Sequence, residues 1–302
     1  MDLFAIVLRR DLHHAVDRLQ PAEIRLREHP TPVPFGLRQH IEFSKTELAG
    51  REALVVTPKP EPSSPLTILY LHGGGYCLCS PGTHRVLVAK IALEVGAKAY
   101  ALDYRLAPEH PHPAAVDDAV AACGALQSEG VEPRNLILAG DSAGGGLCLA
   151  TLLRLRDEGA ELPRAAILLS PWVDLALEGE SIDGNAESDY LSRRILAWFA
   201  ERYRNGLDAK TPSISPIHGD LNGLPPLFVQ LGSDETLASE GRLLAGKAQQ
   251  AGVQVQFQEW PGGLHVFQAF SPYVPEASEA IQEIRRFIRD PSAPRPIPRG
   301  RG

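Results

Sequence analysis

The chain contains one serine placed where it could act as a nucleophile. Ser142 lies in the segment Gly140-Asp141-Ser142-Ala143-Gly144-Gly145, with apolar residues at 136–139 before it and at 146–153 after it. The first apolar run predicts a buried strand and the second predicts a helix. A serine on a tight turn from strand to helix, with a glycine two residues away on each side, is an arrangement that exposes a nucleophilic hydroxyl above a sheet. The N–H groups at the start of the helix would favour negative charge beside it.

A glycine-rich loop upstream could stabilise the negative charge that such a nucleophile creates. The run 66–71 predicts another buried strand, and it is followed by His72-Gly73-Gly74-Gly75-Tyr76. Consecutive glycines present backbone N–H groups without obstruction by side chains. Such a loop can form an oxyanion hole together with the N–H of the residue after the nucleophile, here Ala143. A phosphate-binding role is disfavoured, because the loop has neither a following Gly-Lys-Ser/Thr nor the G-x-G-x-x-G spacing.

A serine nucleophile needs a base, and the base needs an acid that orients it. Two later runs, 227–232 and 253–260, have the pattern of strands, and each is followed by a loop with a candidate residue. The first loop contains Asp234 and the second contains His265. Serine, acid and histidine in this chain order, each after a strand, form a recurring catalytic arrangement. We therefore expect a triad of Ser142, Asp234 and His265.

Other carboxylates compete with Asp234 for the role of the acid. Glu235 and Glu240 follow it closely in the chain. We prefer Asp234 because it lies nearer the end of its strand.

Alternating strands and helices must position these groups. From about residue 66 to 290 the alternation continues without a linker, which predicts one α/β domain. Two earlier strands are joined through Ala49-Gly50 in a hairpin-like connection. The eight predicted strands are 38–43, 52–57, 66–71, 98–103, 136–140, 165–170, 227–232 and 253–260. Helices are expected over 2–29, in two parts, and near 83–95, 114–128, 143–158, 189–204, 236–251 and 277–289.

With these motifs, the sequence resembles the hormone-sensitive-lipase family of the α/β-hydrolases, in particular its bacterial carboxylesterases. The resemblance is carried by four segments: His72 to Tyr76, Gly140 to Gly145, Asp103 to Pro111, and His265-Val266-Phe267. It covers roughly residues 40–290. It implies an α/β-hydrolase fold, with an eight-stranded, mostly parallel sheet flanked by helices and covered by a helical cap.

The resemblance also implies roles for the motif residues. Ser142 would be the nucleophile, His265 the general base and then acid, and Asp234 the orienting carboxylate. The oxyanion hole would be formed by the N–H groups of Gly74, Gly75 and Ala143. No cofactor is implied. We find no convergent set of His, Asp and Glu ligands that would indicate a metal.

Two positions depart from the family pattern. Glu235 and Thr236 follow Asp234 where Pro-Leu is common, and His112 stands where an aromatic residue is usual. His72 is expected to hold the glycine loop in place. A buried polar network beneath the nucleophile is expected from Asp103, Arg105, Glu109 and Asp141.

A cap is expected from two segments outside the regular alternation. More than fifty residues separate the strands near 170 and 227, and they contain one clear helix with an apolar stripe. The resemblance implies that an insertion at about 175–215 and residues 1–37 cover a catalytic domain of residues 38–290. Residues 291–302 form a Pro/Arg-rich tail. The residues expected to line the substrate pocket are Tyr76, Leu191, Ile195, Trp198, Phe199, Leu264 and Val266.

Composition disfavours several other classes of function. The 302 residues carry a formal net charge of −7, which argues against a nucleic-acid surface. Four cysteines without metal-ligand spacing are expected to be reduced thiols. The apolar run 3–8 lacks the order of a secretory signal, and no stretch is long enough to span a membrane. We expect a cytoplasmic protein with a small-molecule ester substrate and no nucleic-acid or membrane partner; a homodimer is compatible with the sequence.

Together these features favour a serine carboxylesterase that hydrolyses small, short-chain acyl esters through an acyl-enzyme intermediate. A lactone hydrolase or an arylformamidase-like amidase would use the same triad and oxyanion hole, so the sequence leaves these alternatives open. A non-catalytic small-molecule-binding homologue of the same fold would be expected to lack a triad member. All three residue types are present here.

Overall fold

The computed structural model describes residues 3–62, 64–271 and 273–292. Within them, one sheet contains β1 (Ile41–Leu48), β2 (Arg51–Pro58), β3 (Thr67–Leu71), β4 (Lys98–Leu102), β5 (Leu136–Asp141), β6 (Ala165–Leu169), β7 (Leu227–Gly232) and β8 (Val255–Trp260). The strand order is β1-β2-β4-β3-β5-β6-β7-β8. Strands β3 to β8 pair in parallel, whereas β2 is antiparallel to both of its neighbours. This is the eight-stranded, mostly parallel sheet that the sequence predicted.

Ten α-helices accompany the sheet in the described part of the chain. They are α1 (Leu3–Arg18), α2 (Pro21–Arg25), α3 (Phe35–Arg38), α4 (Pro81–Val95), α5 (Ala114–Ser128), α6 (Ala143–Asp157), α7 (Ser181–Gly184), α8 (Arg193–Tyr203), α9 (Ala238–Gln250) and α10 (Pro275–Arg289). None of them is long and apolar enough to cross a membrane. The tail predicted at 291–302 lies outside the described residues from position 293 onward.

The edge hairpin shows why one strand boundary was predicted poorly. Ala49 and Gly50 form a two-residue turn with φ values of 50° and 79°, and Leu48 pairs with Arg51. A turn with two positive φ values matches the twist of the two strands that it joins. The first strand therefore continues to Leu48, beyond the predicted end at residue 43. Most side chains of β1 are exposed or half-buried, so apolar alternation marks its end weakly.

Two hydrophobic cores lie on opposite faces of the sheet. Leu69 and Leu71 of β3 belong to one core with residues of α5, α6 and α9. Ile68 and Tyr70 of the same strand belong to the other, with residues of α4 and α10. This division follows from the period of two along a strand. Each fully buried Leu or Ile side chain contributes about 1.5–3 kcal/mol relative to an exposed one, so burial on both faces stabilises the sheet.

The N-terminal helix packs against a helix from the long connection between β6 and β7. His13 of α1 lies 3.4 Å from the Ser192 hydroxyl and 2.9 Å from the Arg194 guanidinium of α8. Arg194 also pairs with Asp17 of α1. We call α1 and α8 the helical layer, because together they lie beside the cavity described below. The division into residues 1–37, 38–290 and an insertion at 175–215 stays a prediction.

Candidate active site

Ser142 occupies a strained turn between β5 and α6. Its φ of 53° and ψ of −124° are unusual for a residue with a side chain. The turn is fixed by backbone hydrogen bonds, because the Ser142 N–H donates to Leu169 O at 2.9 Å and the Trp172 N–H donates to Ser142 O at 2.9 Å. Such a conformation persists only where its surroundings hold it, and here it directs the hydroxyl away from the sheet.

Two glycines of the motif permit close contact between this turn and β3. A Cβ on Gly144 would overlap the carbonyl oxygen of Leu71, and a Cβ on Gly140 would overlap the backbone of Gly144. Helix α6 therefore packs directly on the strand backbone. The spacing of glycines around Ser142 is thus a packing requirement of the turn.

His265 lies within hydrogen-bonding distance of the predicted nucleophile. Its Nε2 is 2.8 Å from the Ser142 Oγ, and the residue is only 3% exposed. It stands on the loop that follows Trp260 at the end of β8. The next residue, Val266, donates its N–H to the Ser170 hydroxyl at 3.0 Å, which fastens this loop to the end of β6. The structure therefore brings Ser142 and His265 together as the sequence predicted.

The carboxylate that faces His265 belongs to Glu235. Its Oε1 is 3.9 Å from His265 Nδ1, and both atoms are buried without another hydrogen-bond partner among the described residues. The second oxygen, Oε2, accepts hydrogen bonds from the Ser170 hydroxyl at 2.6 Å and from the Gly232 N–H at 3.0 Å. Two buried polar atoms that face each other need only a small closing movement to pair, and such contacts are often long in enzymes without ligand.

The structure corrects the prediction that Asp234 orients the histidine. Asp234 is half-buried, its N–H donates to Gly263 O at 3.0 Å, and its carboxylate accepts from the Ser233 hydroxyl at 2.7 Å. In the turn after β7, the carboxylate that is directed toward His265 belongs to Glu235, the residue after Asp234. The glutamate side chain is also one methylene group longer than that of an aspartate. Its rival Glu240 is also excluded, because it accepts hydrogen bonds from the N–H groups of Val173 and Asp174.

Burial and charge set the pKa values of this pair. Burial alone would lower the pKa of His265, but the Glu235 carboxylate, together with Asp189 and Asp141, outweighs burial and raises this pKa above its usual value of 6.5. Burial raises the pKa of Glu235, and the contact with His265 opposes that shift. Because a buried charge needs a partner, an imidazolium at His265 would be favoured by this carboxylate.

The glycine loop lies beside the serine in a conformation that side chains would obstruct. Gly74 and Gly75 have φ values of 112° and 62°, and both line the same cavity as Ser142. A Cβ on Gly75 would overlap the ring of Phe199. Ala143 is the first residue of α6, so its N–H has no acceptor within the helix. Gly74 and Gly75 therefore share a cavity with Ser142, and Ala143 follows it at the start of α6; their role as an oxyanion hole stays a prediction.

Asp189 supports the site although sequence analysis did not identify it. The residue is fully buried in the connection between β6 and β7. Its carboxylate accepts hydrogen bonds from the N–H and the hydroxyl of Thr236, at 2.8 and 3.0 Å, and from the N–H of His265 at 3.3 Å. Asp189 thereby ties the loop of the acid to the loop of the histidine. No local motif marks it, because its partners lie far away in the sequence.

The polar network expected beneath the nucleophile is divided among separate places. Of its four expected members, only Asp141 is buried there. Arg105 pairs with Asp118 of α5 at 2.7 Å. Glu109 is exposed and pairs with Arg25 of the N-terminal segment at 2.7 Å. Asp103 is half-buried, and its N–H donates to Glu52 O. These charges fasten connections at the periphery, so the expectation of one network was wrong.

A cavity of about 390 Å³ opens beside Ser142 and His265. Most of its walls are apolar, and the helical layer supplies part of them through Leu12, Leu196 and Phe199. The lining residues are Leu12, Gly74, Gly75, Leu78, Cys79, Thr83, His84, Asp141, Ser142, Trp172, Tyr190, Leu191, Leu196, Phe199, His265, Val266, Ala269 and Phe270. The structure thus places Leu191, Phe199 and Val266 on the cavity wall, as predicted.

The other four predicted pocket residues do not line this cavity. Helix α8 begins at Arg193, four residues later than predicted, and Ile195 is buried in the core. The Trp198 ring packs against the Arg202 guanidinium, whose Cζ lies 3.8 Å from the centroid of the indole ring. The ring of Tyr76 stacks on Tyr203 at 3.7 Å, away from the serine.

Leu264 is half-buried on the loop that contains His265, and it does not line the cavity beside Ser142. Its neighbour Val266 has a positive φ of 50° and reaches the cavity in its place. No sequence signal marks this turn, because a valine with positive φ is rare.

Comparison with known proteins agrees with this fold. A family model described as alpha/beta hydrolase fold matches residues 68–269, which is more than half of the chain. The chain therefore belongs to the α/β-hydrolase fold family.

Individual relatives indicate which kind of α/β-hydrolase this chain is. An acetyl-hydrolase of Streptomyces hygroscopicus is 48% identical over 74% of this chain and 75% of its own length. An esterase of Acinetobacter venetianus is 37% identical over 84% of each chain. The crystal structure of an esterase from the bacterial hormone-sensitive lipase family superposes with a TM-score of 0.86 at 37% identity, over 95% of this chain and 98% of that one. The protein is a carboxylic ester hydrolase of this group.

Proposed function

We propose that the protein is a serine esterase that hydrolyses short-chain acyl esters through an acyl-enzyme intermediate. The observation that carries the proposal is the 2.8 Å contact between Ser142 Oγ and His265 Nε2 at the wall of an apolar cavity. In the proposed mechanism His265 is the base, and Glu235, in place of Asp234, is the acid that orients it.

Acylation begins when the Ser142 oxygen attacks the ester carbonyl carbon and its proton passes to His265 Nε2. The carbonyl oxygen becomes an oxyanion, and the N–H groups of Gly74, Gly75 and Ala143 stabilise it. Collapse of this intermediate breaks the bond to the alcohol oxygen. The alcohol leaves with the proton that His265 returns, and the acyl group remains on Ser142.

Deacylation repeats these steps with water as the nucleophile. His265 takes a proton from the water as it attacks the acyl carbonyl, and then returns it to the Ser142 oxygen. Carboxylic acid is released and the enzyme is restored. In both halves Glu235 faces Nδ1 of the same ring, so it stabilises each imidazolium as it forms.

The cavity volume supports a preference for short acyl chains. At about 30 Å³ for each water-sized group, 390 Å³ accommodates about a dozen non-hydrogen atoms. An acyl group of two to eight carbons, with its carbonyl oxygen, fits within that number, whereas an acyl group of sixteen carbons exceeds it. The name of the Streptomyces hygroscopicus relative, an acetyl-hydrolase, is consistent with the short end of this range.

A panel of p-nitrophenyl esters with two to sixteen acyl carbons tests the proposal. We expect the highest kcat/KM between two and eight carbons and little hydrolysis at sixteen. The Ser142→Ala variant should lose at least about 10⁴-fold in kcat. A p-nitrophenyl phosphonate should transfer its phosphonyl group to the wild-type enzyme with release of p-nitrophenol, and mass spectrometry should show no such adduct on this variant. Lactone and N-formyl amide substrates in the same panel should be hydrolysed more slowly than the esters.

A matched serine variant controls for general effects of the substitution. Ser128 is exposed at the end of α5, and its hydroxyl donates to Gly124 O within the same helix. The Ser128→Ala variant should retain wild-type activity. If Ser142→Ala kept more than about one hundredth of the activity, the proposed nucleophile would be rejected.

A further inference from the structure

The cavity wall contains a second histidine that the proposed mechanism does not use. His84 lies on α4 with a side chain that is 14% exposed, and its Nε2 is 3.2 Å from Asp141 Oδ2. Asp141 immediately precedes the nucleophile and is almost fully buried. A buried carboxylate at this position requires compensation of its charge, since an uncompensated ion in the interior is costly.

The hydrogen bonds of His84 indicate that both ring nitrogens carry a proton. Nε2 faces the Asp141 carboxylate, and Nδ1 is 2.9 Å from the Thr83 hydroxyl. That hydroxyl also lies 2.8 Å from Ser80 O, and when its hydrogen is directed to this carbonyl it accepts from the ring. Ser80 O itself lies 3.4 Å from Nδ1. A ring with an acceptor at each nitrogen is an imidazolium, because only that form donates from both.

Asp141 connects this histidine to the glycine loop. Its Oδ1 accepts hydrogen bonds from the Tyr70 hydroxyl at 2.6 Å and from the Gly73 N–H at 3.1 Å. A Cβ on Gly73 would overlap the carboxylate, so loop and carboxylate are in direct contact. Gly73 is followed by Gly74 and Gly75, whose N–H groups are the proposed oxyanion donors. The position of these donors therefore depends on where the Asp141 carboxylate is held.

The charged and titratable groups around His84 come from several elements. Burial would lower the pKa of His84, but the Asp141 carboxylate, the Ser80 carbonyl and Glu28 of the N-terminal segment together outweigh burial and raise this pKa. Glu28 is itself fixed, because its carboxylate accepts from the Cys79 N–H at 2.9 Å. The His72 ring is 5.6 Å away, and its pKa is lowered to about 3 by burial and by the charge of His84. The Tyr70 ring lies 6.4 Å away. His84 thus contacts the Asp141 carboxylate directly, and Glu28 acts on it only through space.

We propose that His84 is a positioning residue, which as an imidazolium holds the Asp141 carboxylate in place and so fixes the glycine loop against the nucleophile turn. This inference rests on the proposed esterase function. The same charge has a second effect. Because Asp141 also acts on His265 through space, the cation at His84 limits how far that carboxylate raises the pKa of the catalytic base.

The His84→Gln variant separates positioning from simple packing. Its kcat for p-nitrophenyl butyrate should fall at least about tenfold with KM within about threefold, because the oxyanion donors act in the transition state. The acid limb of its kcat/KM profile should move to higher pH, since Asp141, which acts on His265 through space, is no longer compensated. His218→Gln is the matched control. His218 pairs with Asp174 at 3.0 Å but does not line the cavity, so both kcat and the acid limb should be unchanged.

Thr83→Val keeps the test decisive if His84→Gln fails to fold. It removes the nearer of the two acceptors at Nδ1, and it should shift kcat and the acid limb in the same directions by smaller amounts. A folded His84→Gln enzyme whose acid limb stays in place would overturn the inference, whatever its kcat. An equal loss in His218→Gln would overturn it as well. Absence of ester hydrolysis in the wild-type enzyme would instead overturn the proposed function.

Discussion

Substitution of Glu235 by glutamine should convert the base to its inactive tautomer. Oε2 of Glu235 accepts from Ser170 and Gly232, so the amide oxygen of a glutamine side chain is held at that position. The Ser170 hydroxyl is not expected to accept from the amide NH₂ group instead, because it already accepts a hydrogen bond from the N–H of Val266. The NH₂ group of the amide must then face His265 Nδ1. That nitrogen becomes the acceptor, and the proton moves to Nε2, which can no longer accept from Ser142.

The expected loss follows from this exchange of tautomers. A carboxylate-to-amide change that fixes the wrong tautomer costs about 10³- to 10⁴-fold in kcat, or about 4 to 5.5 kcal/mol of transition-state stabilisation. Asp234→Asn is the matched variant one residue away. It alters only a hydrogen bond with the neighbouring Ser233 hydroxyl, so its kcat should stay within about threefold of wild type.

The assay is p-nitrophenyl butyrate hydrolysis, normalised by active-site titration so that misfolded protein is not counted. Circular dichroism and the unfolding temperature of both variants provide the check on folding. Glu235→Asp retains the charge but shortens a side chain that is already 3.9 Å from Nδ1, so its activity should fall between the two. If Asp234→Asn were as damaging as Glu235→Gln, or if Glu235→Gln kept a tenth of wild-type activity, the assignment of the acid would be incorrect.

Three further outcomes are expected. The kcat/KM of the wild-type enzyme should rise with pH around a pKa above about 6.5, because His265 must be neutral to act as base and its pKa is raised. In Glu235→Gln this rise should occur at lower pH, since burial still lowers the pKa of His265 and the Glu235 carboxylate no longer opposes it. Gly75→Ala should reduce kcat/KM at least about 100-fold, because its Cβ would overlap the Phe199 ring and its φ is 62°; adding Phe199→Ala should restore part of the loss. Phe199→Ala alone should move the preferred acyl chain to longer esters in the p-nitrophenyl panel, and an unchanged preference would exclude this ring as a limit on chain length.

The sheet and the nucleophile turn could be predicted because their signals are local. Every strand except β1 corresponds closely to a run of apolar or alternating residues, and the glycines around Ser142 reflect close contacts at the turn itself. The pairing of Ser142 with His265 was also predictable, because each residue follows a parallel strand and parallel strands present their carboxyl ends at one edge of the sheet.

The acid and the pocket depended on geometry that a sequence pattern does not contain. Asp234 and Glu235 are adjacent carboxylates, and only the path of the turn after β7 determines which one is directed inward. The pocket prediction assumed a helix from residue 189, whereas α8 begins at Arg193, so Leu196 rather than Ile195 reaches the cavity. Asp189 was missed for a related reason, since its partners belong to distant loops.

The contacts of residues 181–190 have a consequence for exchanging segments between related enzymes. Ser181 donates to Thr236 O at 2.7 Å, Asn185 donates to Glu235 O at 2.9 Å, and Asp189 accepts from Thr236 and His265. This half of the connection is therefore bonded to the catalytic loops, whereas α8 forms the cavity wall. A chimera that takes its specificity from another enzyme should have its junction after Tyr190. A junction upstream of Ser181 would import a foreign support for the acid along with the new wall.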